Sequence, residues 1–158
     1  MTLRLSAPLA TTIHAAMAGA YPEEGCGVLV GRDASDARWI ERAITLGNAR
    51  EDSRVNRYLI SPEQLLAADR DARAQGLDVV GFFHSHPDHP ARPSAYDLEH
   101  AWPYYSYVIV SVQGGSVVDT TAWRLREDRS QFDAEPIEIV RDAAGERDAS
   151  AAREENSR

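Results

Sequence analysis

The sequence predicts a single domain of the α/β class with a layered fold. Capped or amphipathic helical segments alternate along the chain with short apolar runs that have the length and composition of buried strands. The chain has 158 residues, which suits one domain, since domains of about 100 to 200 residues are the usual size. A hydrophobic fraction of 43 % excludes wholesale disorder.

Three segments carry helix signals. Apolar side chains recur at helical spacing within residues 7–19, which predicts an amphipathic helix there. A second helix begins at Ser61, because a serine followed three residues later by Gln64 is a capping box, and Gly76 is a suitable stop. Residues 94–101 predict a third, short helix.

Six apolar or mixed segments predict strands. The run between Gly25 and Gly31 is short and apolar, which is typical of a buried strand. Residues 79–83 are fully apolar and predict the central strand. The complete set of predicted strands is residues 25–31, 38–44, 58–60, 79–83, 107–112 and 117–125. Residues 47–57 are polar and predict an exposed loop.

The end of the chain has a different composition. From Arg141 onward the only apolar side chains are alanines, and charges of both signs alternate without a period. Such a segment cannot bury enough surface to offset its ordering entropy. We therefore predict a domain over residues 1–140 and a disordered polar tail over residues 141–158.

Charge and cysteine content exclude several classes of protein. The formal net charge of −8 argues against general nucleic-acid binding, because phosphate contacts need a surplus of positive charge. No stretch approaches the roughly 20 apolar residues that span a bilayer, so we expect no membrane partner. Cys26 is the single cysteine, which excludes an internal disulfide and a four-cysteine zinc site. A reducing compartment is expected, and we predict a cytoplasmic location.

The strongest candidate site follows the central predicted strand. His84 and His86 come at its end, and residues two apart in an extended chain point to the same face, so both imidazoles can converge on one metal ion. Such a metal needs at least one further ligand and, for catalysis, an open position for water. The nearby side chains that could supply the ligand are Asp88, His89, Asp97, Glu99 and His100.

Two other interpretations of these residues remain open. An H-x-H pair is by itself a weak signal, and Ser94 and Asp97 have the spacing of a capping box at the start of the predicted short helix. Residues 84–89 also resemble the H-x-H-x-D-H signature of metallo-β-lactamase-like hydrolases. That family needs further downstream ligands, including another histidine, and His100 is the only histidine after this segment. Its ligands here would be His84, His86, Asp88 and His89.

A longer pattern includes the same histidines. His84-Ser85-His86 is followed by seven residues and then by Ser94-x-x-Asp97, and upstream Pro22-Glu23-Glu24 precedes Gly25-Cys26-Gly27. The combination resembles the JAMM motif of the MPN-domain metalloproteases, in the form shown by small single-domain prokaryotic members. The resemblance runs from about residue 7 to residue 112. It implies a three-layer α-β-α sandwich with a mixed sheet, the deaminase-like layout of an MPN domain.

The resemblance implies a role for each residue of the motif. His84, His86 and Asp97 would hold one zinc ion per chain. Glu24 would act as general base and then as general acid, and Ser94 would donate its hydroxyl to the oxyanion of the tetrahedral intermediate. We expect that Asp97 cannot cap a helix well and also ligate zinc well, and we favour ligation.

The resemblance also implies a substrate class. Members of the family hydrolyse peptide or isopeptide bonds at the C-terminus of ubiquitin-like β-grasp proteins, and small prokaryotic members often accompany sulfur-carrier proteins. We therefore expect a cytosolic zinc hydrolase that releases cysteine or another adduct from the C-terminus of a ubiquitin-like or sulfur-carrier protein. A non-catalytic MPN-like scaffold and a zinc hydrolase of a small amide are the alternatives. Nothing in the sequence indicates an oligomeric state.

Four further residues near the motif have ordinary explanations. Cys26 lies in an apolar run with no adjacent histidine, so we expect a buried small side chain and not a nucleophile. Ser85 points away from its two neighbouring histidines and is expected to make a structural hydrogen bond. His89 and Arg92 are expected on a solvated turn.

Overall fold

The computed structural model describes residues 1–55 and 57–141. The helices are α1 (Ala7–Ala20), α2 (Pro62–Ala74) and α3 (Ala95–His100). The strands are β1 (Thr2–Ser6), β2 (Cys26–Ala34), β3 (Ala37–Leu46), β4 (Asp78–Pro87), β5 (Ser106–Gln113), β6 (Ser116–Leu125), β7 (Phe132–Glu135) and β8 (Ile137–Val140). Beyond Arg141, the tail predicted as disordered lies outside the described residues. In the described part of the chain, no helix combines the length and apolar character needed to cross a membrane.

All eight strands join one mixed sheet in the order β7-β6-β5-β4-β2-β3-β1-β8. The pairs β1–β3, β1–β8 and β4–β5 are parallel, and the other pairs are antiparallel. The two edge strands, β7 and β8, are separated in the chain by Pro136 alone. Because consecutive strands lie at opposite edges, the sheet curves until its edges meet, and Leu3 N donates to the Pro136 carbonyl there (2.9 Å).

Helices cover both faces of the sheet, which confirms the predicted α/β sandwich with a mixed sheet. On one face, Ile13 and Met17 of α1 pack in a buried cluster with Phe83 of β4. On the other face, Ala68 and Ala72 of α2 belong to a second buried cluster. Leu98 and Ala101, at the end of α3, pack in this second cluster as well, so α2 and α3 share a face.

The helix starts follow the local signals in the sequence. Gln64 N donates to Ser61 Oγ (3.1 Å) and Ser61 N donates to Gln64 Oε1 (2.8 Å), so the predicted capping box is confirmed. At α1, Ser6 Oγ accepts a hydrogen bond from Leu9 N (3.2 Å). Both caps satisfy backbone donors that have no partner within the helix.

The predicted strand at residues 58–60 is wrong. These residues lie in the connection between β3 and α2 and belong to no strand. Their backbone bonds instead to the start of the same connection, where Ala49 N donates to Leu59 O (2.9 Å) and Leu59 N donates to Asn48 Oδ1 (3.0 Å). The backbone N–H of Leu59 thus bonds to the side-chain amide of Asn48 and not to a neighbouring strand.

Three strands were not predicted: β1, β7 and β8. They have five, four and four residues, and β7 has the sequence Phe-Asp-Ala-Glu. Segments this short carry little strand signal of their own, and their conformation is fixed by pairing with distant strands. The strands β2 and β4 also extend further than predicted, to Ala34 and Pro87.

A candidate metal centre at the end of the central strand

Strand β4 presents His84 and His86 on one face of the sheet. The strand is held between β2 and β5, with His84 opposite Cys26 on one side and opposite Ile109 on the other. Both histidines are buried. Ser85, between them, points to the opposite face, where its Oγ accepts a hydrogen bond from Gly25 N (2.8 Å), which is the structural bond expected.

Helix α3 brings Asp97 to the two histidines. Its Oδ1 lies 3.3 Å from His84 Nε2 and its Oδ2 lies 3.2 Å from His86 Nε2, and the two Nε2 atoms are 3.1 Å apart. Four ligands held at 2.0–2.1 Å in a tetrahedron are about 3.3 Å from one another. The two nitrogens and the two carboxylate oxygens are therefore close enough for the three residues to share one metal ion, with one ligand atom from each residue lying within 4.8 Å of the others. Within the described residues, this is the only such group of His, Cys, Asp or Glu side chains.

The second ring nitrogens of the two histidines differ in their environment. His86 Nδ1 lies 2.9 Å from the Pro90 carbonyl, so it donates there and leaves Nε2 with its lone pair. His84 Nδ1 is buried and has no hydrogen-bond partner in the part of the chain that the structure describes. The ring of His84 is instead stacked against Tyr58, with centroids 4.6 Å apart and an angle of 23° between the planes.

Asp97 completes the capping box of α3 and also contacts the two histidines, and its ligation of a metal stays a prediction. Ser94 N donates to Asp97 Oδ2 (2.8 Å) and Asp97 N donates to Ser94 Oγ (3.0 Å), which completes a capping box. A carboxylate has about four lone-pair directions. One of them serves the backbone of Ser94, while others face His84 and His86.

Charge and burial oppose each other across this cluster. Burial acts to raise the pKa of Asp97, but hydrogen bonds from His84, His86 and the Ser94 backbone hold that pKa well below its usual range. Burial lowers the pKa of His84. Burial also acts to lower the pKa of His86, but its bonds to Asp97 and to the Pro90 carbonyl prevail and raise it. Asp97 is thus held as an anion beside the two imidazoles.

Glu24 lies beside the cluster, just before β2. Its side chain is buried, with 5 % exposed. Its backbone is fixed on both sides, since Glu24 N donates to Arg54 O (2.6 Å) and Glu24 O accepts from Asn48 Nδ2 (3.2 Å). Burial raises the pKa of Glu24 to about 8, with Asp97 raising it further and His86 opposing. A carboxyl group tuned in this way can take up and release a proton near neutral pH.

Ser94 lies at the rim of the cluster. Its Oγ accepts the hydrogen bond from Asp97 N described above, and the residue is exposed. Among the described residues, no acceptor is present for the hydroxyl proton of Ser94. That proton remains available for a group bound above the cluster.

The turn after β4 directs Asp88 and His89 away from the cluster. Asp88 Oδ2 accepts from Tyr21 Oη (2.7 Å) and Asp88 Oδ1 accepts from Gly114 N (2.9 Å), so this carboxylate ties the turn to its neighbours. His89 and Arg92 are exposed, as expected for a solvated turn. The arrangement does not supply the ligands of a lactamase-like site.

Cys26 is buried beside the site, and the hydrogen bond of its thiol in the described part of the chain goes to a backbone carbonyl. Its Sγ lies 3.7 Å from the Leu46 carbonyl. Burial raises the pKa of its thiol to about 12, and the nearby Glu24 adds to the effect. A thiol in this state is not a nucleophile near neutral pH, in agreement with the expectation of a buried structural side chain.

Two residues of the site were missed in the sequence: Asn48 and Tyr58. Asn48 lies in a segment predicted only as an exposed loop, and Tyr58 lies in the segment wrongly predicted as a strand. A cavity of about 250 Å³ also adjoins Asp97. Its walls include Tyr58, Leu65 and Trp102. The spacing of apolar residues in the sequence could not predict this cavity, because only the tertiary fold brings the loop residues next to α3.

The fold and the cluster together define a class of protein. An α/β domain with two histidines and one aspartate close enough to share a metal ion, and a buried glutamate beside them, has the composition of a metallohydrolase centre. The chain belongs to the family of prokaryotic homologues of the JAB domain, whose model matches residues 6–126. This confirms the resemblance to JAMM/MPN domains drawn from the sequence.

Several curated relatives are similar to the chain. It is 43 % identical over 98 residues to the desampylase of Haloferax volcanii, a match that covers 61 % of this chain and 68 % of that protein. It is 38 % identical over 93 residues to the probable TtuB-protein conjugate cleaving protease of Thermus thermophilus, covering 59 % of each. It is 33 % identical over 121 residues to the CysO-cysteine peptidase of Mycobacterium tuberculosis, covering 76 % and 79 %. The last two names describe a protease and a peptidase.

Solved structures show the same fold. The solution structure of a Desulfitobacterium hafniense protein matches with a TM-score of 0.78 and 34 % identity, over 89 % of this chain and 94 % of that one. The solution structure of a Salinibacter ruber protein matches with a TM-score of 0.68 and 45 % identity, over 89 % and 92 %.

Proposed function

We propose that this protein is a zinc metallopeptidase that hydrolyses the amide bond at the C-terminus of a ubiquitin-like or sulfur-carrier protein and releases cysteine or another amine. The observation that carries the proposal is the spacing of His84, His86 and Asp97, 3.1–3.3 Å between donor atoms, next to the buried Glu24. Two neutral nitrogens and one carboxylate are a donor set that zinc accepts with a fourth position open.

The reaction needs a proton acceptor that later becomes a donor, and Glu24 suits both steps. A bound zinc ion supplies Lewis-acid polarisation of the amide and lowers the pKa of water. Glu24 takes the proton released as water adds to the carbonyl carbon, and then gives it to the amine nitrogen as the C–N bond breaks. Its burial keeps the protonated form accessible near neutral pH.

Ser94 has the remaining role, at the carbonyl oxygen. Negative charge builds on this atom as the tetrahedral intermediate forms, and a preorganised donor stabilises it. The hydroxyl of Ser94 is oriented by the hydrogen bond from Asp97 N (3.0 Å), so its proton can point towards that oxygen. The serine is therefore a second catalytic residue of the proposal.

Three relatives support the proposed substrate class. Their names describe a desampylase, a protease that cleaves conjugates of the protein TtuB, and a peptidase for CysO-cysteine. The last two name an attached protein or amino acid as the group to be cleaved. We transfer the shared chemistry to this chain: cleavage of an amide that joins a carrier protein to a smaller or larger amine. A cytoplasmic location, without nucleic-acid or membrane partners, fits the single cysteine and the net charge of −8.

The decisive experiment uses the full-length chain loaded with zinc. It is incubated with β-grasp carrier proteins whose C-terminal glycine is joined by an amide to cysteine, to lysine of a second protein or to a small dye amine. Mass spectrometry then locates any cut. We expect a cut directly after the terminal glycine of the carrier, lost in Glu24→Gln, which retains zinc because Glu24 is not one of the three ligands.

Two results would contradict the proposal. A protein that binds no stoichiometric zinc, and cleaves nothing, would favour the non-catalytic scaffold. A glycine amide of the same dye, without a carrier protein, is the comparison substrate. If it is cleaved as fast as the carrier-linked dye, the protein is a small-amide hydrolase, since the carrier then contributes nothing to recognition.

A further inference from the structure

In the described part of the connection between β3 and α2, residues 47–55 and 57–61, the side chain of Asn48 organises the backbone beside the metal cluster. Its Nδ2 donates to the carbonyls of Glu24 (3.2 Å) and Arg57 (3.0 Å). Its Oδ1 accepts from the backbone N–H groups of Arg50 (3.0 Å) and Leu59 (3.0 Å). The amide therefore uses both donors and both acceptor directions that an asparagine has.

Two of these four partners stand on either side of Tyr58. Arg57 precedes it and Leu59 follows it, so Asn48 fixes the backbone of Tyr58 from both directions. The same amide fixes the carbonyl of Glu24. One side chain thus sets the position of Glu24 relative to that of Tyr58.

Tyr58 in turn contacts His84. The two rings stack at 4.6 Å with planes 23° apart. A histidine that ligates a metal is usually oriented by a hydrogen bond from its other ring nitrogen to a carbonyl or carboxylate. His86 has this bond, from Nδ1 to the Pro90 carbonyl, whereas Nδ1 of His84 has no such partner in the described chain. The orientation of the His84 ring therefore depends on the surface against which it packs.

We propose that Tyr58 is a positioning residue that sets the plane of the His84 ring by stacking, and that Asn48 holds Tyr58 and Glu24 in a fixed relation. The inference rests on the proposed function, because it takes His84 as a metal ligand. It adds that one loop side chain aligns a ligand and the general base together. Replacing the ring of Tyr58 loosens His84, whereas removing only its hydroxyl does not.

The test measures zinc affinity and needs no substrate. Full-length Tyr58→Leu, Tyr58→Phe and wild-type protein compete with a chromophoric chelator for zinc. Loss of an orienting partner of a ligand typically weakens metal binding by about 10–100-fold, and we expect that loss for Tyr58→Leu. Tyr58→Phe should stay within about twofold of wild type, since the stacked ring is retained. Leu59→Ala is the matched control, because Leu59 is 45 % exposed in the same loop and lines the same cavity.

A second measurement separates positioning from loss of structure. Thermal unfolding of the zinc-free variants reports the integrity of the fold, and nitrogen-15 NMR of the zinc-free protein reports the ring of His84. We expect Tyr58→Leu to remain folded and to lose the single, sharp His84 ring signals that wild type and Tyr58→Phe show. In Asn48→Asp, which removes both Nδ2 donors, zinc binding should weaken and kcat should fall with KM nearly unchanged.

Specific outcomes would overturn the inference. Zinc binding by folded Tyr58→Leu equal to wild type would remove Tyr58 from any positioning role. An equal loss in Tyr58→Phe and Tyr58→Leu would show that the hydroxyl acts and that stacking does not. Wild-type protein that binds zinc tightly yet cleaves no carrier would refute the proposed substrate and leave the positioning role intact, so the two failures are distinct.

Discussion

Ser94 and Asp97 bond to each other twice, and the same carboxylate reaches both histidines. Ser94 N donates to Asp97 Oδ2 (2.8 Å), and Asp97 N donates to Ser94 Oγ (3.0 Å). Asp97 also lies within 3.3 Å of His84 Nε2 and 3.2 Å of His86 Nε2. The helix cap and the metal cluster are therefore one unit, because the bonds that start α3 also orient the aspartate towards β4.

Two substitutions of Asp97 distinguish its capping of α3 from its binding of the metal. Asp97→Ala removes both, so we expect loss of stoichiometric zinc together with a loss of stability of about 1 kcal/mol, typical of a missing cap bond. Asp97→Asn retains an oxygen that can accept from Ser94 N but loses the charge, so it should keep most of the stability and bind zinc weakly. Metal analysis and urea unfolding of the zinc-free forms measure the two effects.

Asp88→Ala and His89→Ala serve as the comparison for Asp97. Asp88 bonds to Tyr21 and Gly114, away from the cluster, so both variants should retain one zinc ion per chain. Loss of zinc in these two variants with retention in Asp97→Ala would support the lactamase-like ligand set instead.

Ser94→Ala tests the oxyanion role. Removing one such donor typically lowers kcat by about 10²–10³, and we expect that loss with zinc content unchanged. Because Ser94 also caps α3, a stability effect is expected as well. Ser61→Ala is a matched control, since Ser61 makes the same capping box at α2 and has no part in the cluster. If Ser61→Ala slows hydrolysis as much as Ser94→Ala does, the effect comes from the fold and not from the hydroxyl.

Residues whose role depends on local spacing could be predicted from the sequence. The alternation of a strand places His84 and His86 on one face whatever the rest of the fold does. The three-residue spacing from Ser94 to Asp97 is that of a capping box, which the structure contains. The start of helix α2 was predicted in the same way, from the capping-box spacing of Ser61 and Gln64. Signals of this kind need no knowledge of distant parts of the chain.

Residues whose role depends on long-range contacts could not be predicted. Asn48 lies in a polar loop, and nothing within that loop indicates that its amide will bond to Glu24, 24 residues earlier. Tyr58 appeared to belong to a strand because an aromatic and two aliphatic residues favour extended structure. Arg38 is fully buried, although arginines are seldom buried unless paired. In each case the tertiary partner decides the conformation.

The raised pKa of Glu24 predicts how the stability of the zinc-free protein depends on pH. This carboxyl group has a pKa of about 8 in the folded protein, against an ordinary value of 4.5. The folded state therefore binds more protons than the unfolded state between these values. The free energy of unfolding should therefore fall as pH rises through this window. The contribution of Glu24 alone amounts to a loss of about 3 kcal/mol at pH 7 relative to pH 4.

Glu24→Gln removes the titrating group and should remove this part of the pH dependence. We expect the variant to resemble wild type at pH 4 and to be more stable than wild type at pH 8, when both are measured by urea unfolding with a chelator present. A difference between the two proteins that does not change with pH would show that Glu24 is not buried as an acid, and would weaken its assignment as a base tuned by burial.

A buried arginine connects three strands of the sheet. Arg38 of β3 is 0 % exposed. Its Nε and Nη2 donate to the two carboxylate oxygens of Asp33 (2.7 and 3.1 Å). Its Nη1 lies within 2.9 Å of the Val80 carbonyl, 2.6 Å of the Tyr104 carbonyl and 3.1 Å of Ser106 Oγ. The arginine therefore joins β2, β4 and the start of β5.

Arg38→Met keeps much of the side-chain volume and removes every one of these bonds. We expect a loss of about 1–3 kcal/mol in the free energy of unfolding, because the buried Val80 carbonyl would lose its donor, while Ser106 Oγ keeps its bonds to Glu135 and Arg124. Arg126→Met is the matched control, since Arg126 pairs with Asp133 in a comparable two-pronged arrangement on the exposed surface. Exposed pairs contribute little, so this variant should unfold near the wild-type urea midpoint. Equal losses in the two variants would mean that the Arg38 network stabilises the sheet no more than a surface ion pair does.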